Sequence, residues 1–290
     1  MDEGPRERLG IVAGGGGLPM IVANAAIEKG MEPIFALFSD GLTNASIEGH
    51  SRSFSWGRTG DAIEWLKAEG ARKLVFCGTI SSRPDFRSIL PSLKTLKRLP
   101  RAFRIVKGGD DRLLRNLSRY LESEGFDLLP VQAIAPELLA PEGVMTVRAP
   151  NAEEEAALSL AHRAATALGV LDAGQAVIAS NERIIAMEGI EGTRAMMRRV
   201  AEYRAARKIG RGERLALVKA VKPEQDRRFD LPSIGVQTID DAEAAGITAI
   251  GVSARESLIL GLDDVLDRAN HAGLAIKGLV GQHIADGETP

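Results

Sequence analysis

The fold turns on Leu9-Gly10-Ile11-Val12-Ala13-Gly14-Gly15-Gly16-Gly17-Leu18-Pro19. A short apolar run ends in four glycines, and helix-forming sequence follows at once over 18–29, with Gly30 as its stop. Working outward, Pro33-Ile34-Phe35-Ala36-Leu37-Phe38 reads as a second strand. Asp61-Ala62-Ile63-Glu64 has the form of an N-cap with Glu three residues on, opening a helix through Trp65 and Leu66 to Gly70. Lys73-Leu74-Val75-Phe76-Cys77 reads as a third, buried strand stopped by Gly78. Strand, helix, strand, helix, strand predicts a parallel sheet with crossover helices, an α/β unit.

Beyond Gly78 the pattern changes. Residues 84–99 keep helical spacing but are cut by Pro91 and Pro100. Residues 110–125 form a cleaner helix with Leu113, Leu114, Leu117, Tyr120 and Leu121 on one face. Residues 126–130 make a short strand. Pro136, Pro141, Pro150 and Gly143 mark 133–150 as a linker, bounding an N-terminal domain over 1–132 and a C-terminal domain over 151–290. Asn151 with Glu154 makes a second capping pattern, and its helix runs to Gly169. Gln175-Ala176-Val177-Ile178-Ala179 and Arg183-Ile184-Ile185-Ala186-Met187 read as a hairpin around Ser180-Asn181-Glu182. Helices over 193–206 and 263–272 alternate with strands over 215–220, 247–252, 257–260 and 274–279. Hairpins mixed with helices predict an α+β second domain.

Composition sets the outer limits. The chain has 290 residues, 44% hydrophobic and 26% charged, which excludes a wholly disordered chain. At roughly 100–200 residues per domain the length suits two domains. The single cysteine, Cys77, excludes an intramolecular disulfide and a Cys-rich zinc site. A formal net charge of −2 argues against a general nucleic-acid binder. The first eight residues are polar and lack the basic-then-apolar order of a secretory signal, and no run approaches the roughly 18 apolar residues of a membrane span. The expectation is a soluble, cytoplasmic protein, with peripheral membrane contact left open. A homodimer is entertained without a residue signal for it.

Glycines between a strand and a helix expose backbone N–H groups at a helix N-terminus, an arrangement that binds anions, phosphate above all. Neither dinucleotide-binding register is complete: Gly14-x-Gly16 meets Pro19 at the sixth position, and Gly15-x-Gly17 meets Met20. A phosphate cradle over Gly14, Gly15, Gly16 and Gly17 and a plain tight turn both remain open. Two further loops belong with it. Gly78-Thr79-Ile80-Ser81-Ser82-Arg83-Pro84-Asp85 leaves the carboxyl end of the third strand, where open parallel sheets bind ligands, and Thr79 and Arg83 suit a phosphate or ribose. Lys107-Gly108-Gly109-Asp110-Asp111-Arg112 is a polar glycine turn, readable equally as a helix cap.

The second half supplies acids. Glu188-Gly189-Ile190-Glu191-Gly192-Thr193 lies between a hairpin strand and a helix. The run from Lys219 through Lys222 to Pro232 is dense in both signs of charge and framed by prolines, with Asp230 between Phe229 and Leu231. A solvated face accounts for such a run; the mixed signs suit a partly buried network. Lysines with carboxylates are what phosphoryl chemistry uses, the acids holding Mg²⁺ and the cations offsetting charge on phosphate oxygens. None of the four histidines has metal-ligand spacing, and Cys77 at the end of a buried strand reads as a packed thiol.

Taken together these segments resemble one family. Residues 9–19, Ser82-Arg83-Pro84-Asp85-Phe86, Lys107-Gly108-Gly109-Asp110-Asp111, Leu171-Asp172-Ala173-Gly174-Gln175, Glu191-Gly192-Thr193 and the stretch from Lys219 to Gly235 are similar, in the same order, to the UDP-2,3-diacylglucosamine pyrophosphatases of the LpxI type. The resemblance implies a Rossmann-like N-terminal domain, a linker and a distinct C-terminal domain with the lipid held between them. It implies Mg²⁺-assisted attack of water on the phosphorus nearer the sugar, releasing UMP and 2,3-diacylglucosamine 1-phosphate (lipid X) in lipid A synthesis at the inner membrane. The family's essential aspartate falls on Asp230, within Arg228-Phe229-Asp230-Leu231-Pro232. Glu188 and Glu191 are the further metal candidates. Gly14 to Gly17, Thr79, Arg83, Asp110, Thr193, Lys219 and Lys222 are the substrate-binding candidates. Arg194 stands where members often carry Asp. A nucleotide-binding sensor without chemistry and a nicotinamide-dependent oxidoreductase are the competing readings, the latter weakened by the missing third glycine.

Overall fold

A computed structural model describes residues 6–38, 49–78, 92, 94–95, 110–223, 225–229 and 231–280, with backbone only over 110–114. The chain divides into two units, Met1–Glu137 with Asp226–Asp230, and Leu138–Gln225 with Leu231–Pro290.

The first unit carries β1 (Arg8–Ala13), α1 (Leu18–Glu28), β2 (Glu32–Phe38), β3 (Ser51–Phe54), α2 (Thr59–Ala68), β4 (Lys73–Cys77), α3 (Asp110–Ser123), β5 (Asp127–Leu129) and the single turn α4 (Val131–Ile134). Among the described residues its five strands are all parallel, in the order β3-β2-β1-β4-β5. The order reverses between β1 and β4. Such a reversal is where doubly wound sheets bind ligands, outside the carboxyl ends of the strands. Leu9, Ile11, Ile34, Phe35, Leu74 and Val75 are buried, as strands covered on both faces require. One core joins Ile34, Ala36 and Leu74 of the sheet to Ile63 and Leu66 of α2 and Leu121 of α3. β3 has no sequence signal: Ser51, Arg52 and Ser53 are exposed on an edge strand, where polar residues are admitted. α2 begins two residues before Asp61, at Thr59, so Asp61 lies in its first turn rather than capping it, and accepts a hydrogen bond from Ser92 Oγ at 2.5 Å.

The second unit carries β6 (Gly143–Val144), α5 (Ala152–Val170), β7 (Ala176–Ala179), β8 (Ile184–Met187), α6 (Gly192–Ala205), β9 (Leu215–Lys219), β10 (Ser233–Gly235), α7 (Val236–Ala244), β11 (Ile247–Ser253), β12 (Leu258–Leu260), α8 (Leu262–His271) and β13 (Ala275–Leu279). Its main sheet has the order β6-β13-β11-β9-β7-β8 and is mixed: β13, β11 and β9 are parallel, while β6, β7 and β8 run against their neighbours. The hairpin expected at Ser180 is β7–β8. β6 lies inside the stretch read as a linker, entered through Gly143 at φ +88°.

Side chains of this sheet alternate between two cores. Ile178, Leu215, Leu217, Ile250 and Ile276 face Met196, Met197, Val200, Ile239 and Val265. Val177, Ala179, Ala216, Val218, Ala249 and Ala275 face Ala157, Leu158, Ala161 and Ala165 of α5. Alanines on both sides let α5 lie close on the sheet. The Asn151 capping box is formed in both directions, Glu154 N–H donating to Asn151 Oδ1 and Asn151 N–H to Glu154 Oε2, both at 2.9 Å.

Candidate active site

The glycine turn sits at the reversal point of the first sheet. Ala13 of β1 is in register with Cys77 of β4, and Gly14 N–H donates to the Cys77 carbonyl at 3.0 Å. Gly78, next in the chain, has φ +96°, and a Cβ on it would lie 2.8 Å from the Gly15 carbonyl oxygen and 2.9 Å from Gly14 C. Only glycine fits there, by conformation and by space. Gly16, at φ +90°, and Gly17 are exposed. Gly17 precedes α1, which has no side-chain cap, no acidic residue in its first turn, and Pro19 near its start. The positive end of the helix dipole thus meets bare backbone at the carboxyl edge of β1, the setting in which phosphates bind.

A short arm from the second half of the sequence belongs to this first unit. Arg228 grips Asp226 with two nitrogens, Nε to Oδ1 at 2.9 Å and Nη2 to Oδ2 at 2.8 Å. Asp226 Oδ2 also accepts from Ser118 Oγ at 3.1 Å, and Arg228 Nη1 donates to Glu122 Oε1 at 2.6 Å, both on α3. Gln132 Nε2 donates to the Arg227 carbonyl. The Phe229 ring packs 4.9 Å from that of Phe76, the penultimate residue of β4. Burial pushes the Asp226 carboxyl up, but hydrogen bonds and charge from Arg228, with the Ser118 hydroxyl, outweigh it and hold the pKa below the ordinary range. Of the two readings of the charged run, the partly buried network is the one formed.

The second-unit candidates make contacts of another kind. Glu188 Oε1 accepts from Thr193 Oγ1 at 2.6 Å, and Oε2 accepts from the backbone N–H groups of Gln175 and Ala176 at 3.0 and 3.1 Å. This carboxylate latches the end of β8 to the start of β7 and to α6. Glu191 pairs with Arg199 at 3.0 Å. Lys219, almost fully buried, donates to the Ser233 carbonyl at 2.9 Å, and Lys222 Nζ to Asp172 Oδ1 at 2.6 Å. Arg194, the departure from the family pattern, pairs with Asp241 at 3.1 Å. Among the described residues no three His, Cys, Asp or Glu side chains assemble as a metal cage. Burial pushes the Cys77 thiol up to about 12, which suits a packed rather than a reactive thiol.

Thr79, Arg83 and Asp230 lie outside the described residues, as do the side chain of Asp110, the turn over 107–109 and most of the segment over 84–99. Sequence reasoning singled out neither Ser118 nor Asp226. Ser118 carried a signal: it shares its helix face with Leu114, Leu117 and Leu121, where a polar residue demands a buried partner.

Residues 8–138 match the family model of the LpxI N-terminal domain, and residues 141–277 that of the LpxI C-terminal domain. The UDP-2,3-diacylglucosamine pyrophosphatase LpxI of Caulobacter vibrioides is 35% identical over 276 residues, spanning 94% of this chain and 97% of that protein.

Proposed function

The chain belongs to the LpxI family, and on that premise we propose that it is a hydrolase cleaving the pyrophosphate bond of UDP-2,3-diacylglucosamine, with UMP and 2,3-diacylglucosamine 1-phosphate as products. The observation that carries this reading is the pairing of a glycine turn at the sheet's reversal point with an arm, ending in Phe229, that packs on the same strand, β4. Asp230 is the next residue in the chain.

In this reading the backbone of Gly14 to Gly17 and the start of α1 take the negative charge of the phosphates, with Thr79, Arg83 and Asp110 as further substrate contacts. Asp230 orients the attacking water and accepts its proton, a general-base role open to a carboxylate. Water attacks the phosphorus nearer the sugar, and UMP leaves. Mg²⁺ is part of the proposal: it would be held by Asp230 together with substrate phosphate oxygens, a common arrangement for that ion, and would supply charge neutralisation. Glu188 does not fit as its ligand, because both of its oxygens already serve the latch, while Glu191, whose Oε1 pairs with Arg199, stays the further metal candidate.

Among the described residues no helix is long and apolar enough to cross a membrane. A substrate with two acyl chains resides in a bilayer, so the proposal places the enzyme in peripheral contact with the inner membrane from the cytoplasmic side. The test is UMP release from UDP-2,3-diacylglucosamine by the purified chain, with and without Mg²⁺. Release only with the metal is expected; no UMP in either arm overturns the proposal.

A further inference from the structure

We propose that Asp226 and Arg228 are positioning residues: their ion pair, anchored on Ser118 and Glu122 of α3, fixes the arm over 226–229 that leads directly into residue 230, and so serves the catalytic step there. This rests on the catalytic role given above to Asp230.

The argument begins from what the pair costs. Ser118 is fully buried and the Asp226 side chain is only 10% exposed. Charges brought this far out of water gain little net stability over apolar residues filling the same space, but they tolerate one geometry only. Here that geometry is over-determined. Both Asp226 oxygens are engaged by Arg228, with a planar fork-to-fork match that an ammonium cannot reproduce. Asp226 Oδ1 also accepts the Arg228 backbone N–H at 3.1 Å, and Phe229 N–H donates to the Asp226 carbonyl at 3.1 Å, which closes the arm into a tight turn. Arg228 then reaches Glu122, and Phe229 meets Phe76. Four consecutive residues, 226–229, are therefore tied to α3, α4 and β4 by side chain or backbone. A general base must sit within about 2.6–3.2 Å of the proton it takes, and misplacement by 1 Å can cost about 100-fold in rate. An arm held this firmly, ending one residue before the proposed base, restricts where the chain can carry that base.

The experiment uses the full chain and the variants Asp226→Asn, Arg228→Lys, Arg228→Ala and, in parallel, Asp230→Ala. Measured for each are kcat and KM for UMP release, Kd for UMP, and thermal unfolding. Positioning predicts a fall in kcat of about 100-fold for Arg228→Ala, with KM and UMP affinity within about threefold of the parent and partial recovery in Arg228→Lys. Where Arg228→Ala does not fold, Asp226→Asn, which keeps the side chain's size, decides with an expected loss of at least about tenfold in kcat. A lowered unfolding temperature with kcat unchanged in the folded variants reduces the pair to a structural one and overturns the proposal. An active Asp230→Ala variant fails the underlying catalytic reading instead. An inactive Asp230→Ala beside fully active Asp226→Asn and Arg228→Lys fails the positioning role alone.

Discussion

Gly14 and Cys77 close the first sheet at its reversal point: the Gly14 N–H donates to the Cys77 carbonyl at 3.0 Å, just where β1 and β4 part. This bond brings the turn after β1 against the turn after β4, so closely that Gly78 has no room for a side chain.

Gly78→Ala tests that closeness. The new Cβ must clear the Gly15 carbonyl oxygen at 2.8 Å while its backbone holds φ +96°. The left-handed conformation alone costs about 1–2 kcal/mol. The expected outcome is a lower unfolding temperature together with weaker UMP binding, read by calorimetry and titration. Gly16→Val, at φ +90° on the exposed side of the turn, should weaken UMP binding by blocking backbone approach. UMP affinity equal to the parent in a folded Gly16→Val variant moves the nucleotide site elsewhere.

Asp230→Ala or Asp230→Asn should abolish turnover while leaving the fold and substrate binding largely intact. The loss should fall on kcat much more than on KM, as for a group that acts on the barrier rather than on binding. The check is steady-state UMP release across a Mg²⁺ titration, with circular dichroism for folding. More than about a tenth of parent kcat, a barrier change under roughly 1.4 kcal/mol, removes Asp230 as the catalytic carboxylate.

Glu188→Ala should behave as a broken latch. It deletes the acceptor for the Thr193 hydroxyl and for two backbone N–H groups; the donor at the fully buried Ala176 should cost about 1–3 kcal/mol and those at the half-buried Gln175 and Thr193 less. The second unit should unfold earlier, while the Mg²⁺ dependence of the folded enzyme matches the parent. A shifted Mg²⁺ midpoint would instead return Glu188 to the metal shell.

The Arg148–Glu154 pair predicts an acid-sensitive second unit. Glu154 is fully buried, and Arg148 meets it at 2.6 and 3.1 Å while also donating to the Thr248 and Gly273 carbonyls. Burial raises the Glu154 pKa, and Arg148 with the Asn151 N–H more than reverses this, leaving it below its ordinary 4.5. A carboxyl lowered by folding stabilises at pH above its ordinary value, and that contribution drains away as pH falls through the folded value. Unfolding temperature should therefore drop below about pH 4.5 more steeply in the parent than in Glu154→Gln. At neutral pH, Arg148→Ala should cost about 3 kcal/mol, the low end for a broken buried pair because Arg148 is partly exposed.

Cys77 offers a reporter for the first unit. With its thiol buried and pushed up to about 12, it should resist alkylation at pH 8 in the folded chain and react on unfolding. Rapid labelling of the native protein would contradict the packing of β4.

Local sequence determined the parts of this protein whose physics is local. Apolar runs specify β1, β2 and β4, with glycine directly closing β1 and β4, and the capping box at Asn151 specifies where α5 begins, since these patterns act within a few residues. The glycine turn was legible for the same reason, since glycine takes the φ +90° that Gly16 adopts without a side-chain clash. Tertiary structure decided the rest. The polar edge strand β3 exists only because β2 offers it a partner, and the short β6 only because β13 does. The role of Glu188 could not be read from its neighbours, since its partners at 175, 176 and 193 meet only once the hairpin closes. The same holds for the arm at 226–229. Its charges are ordinary in sequence, and they became a pinned turn because folding brought α3, more than a hundred residues earlier in the chain, against them. A carboxylate's function depends on which donors surround it, and donors that distant in sequence are chosen by topology rather than by local pattern.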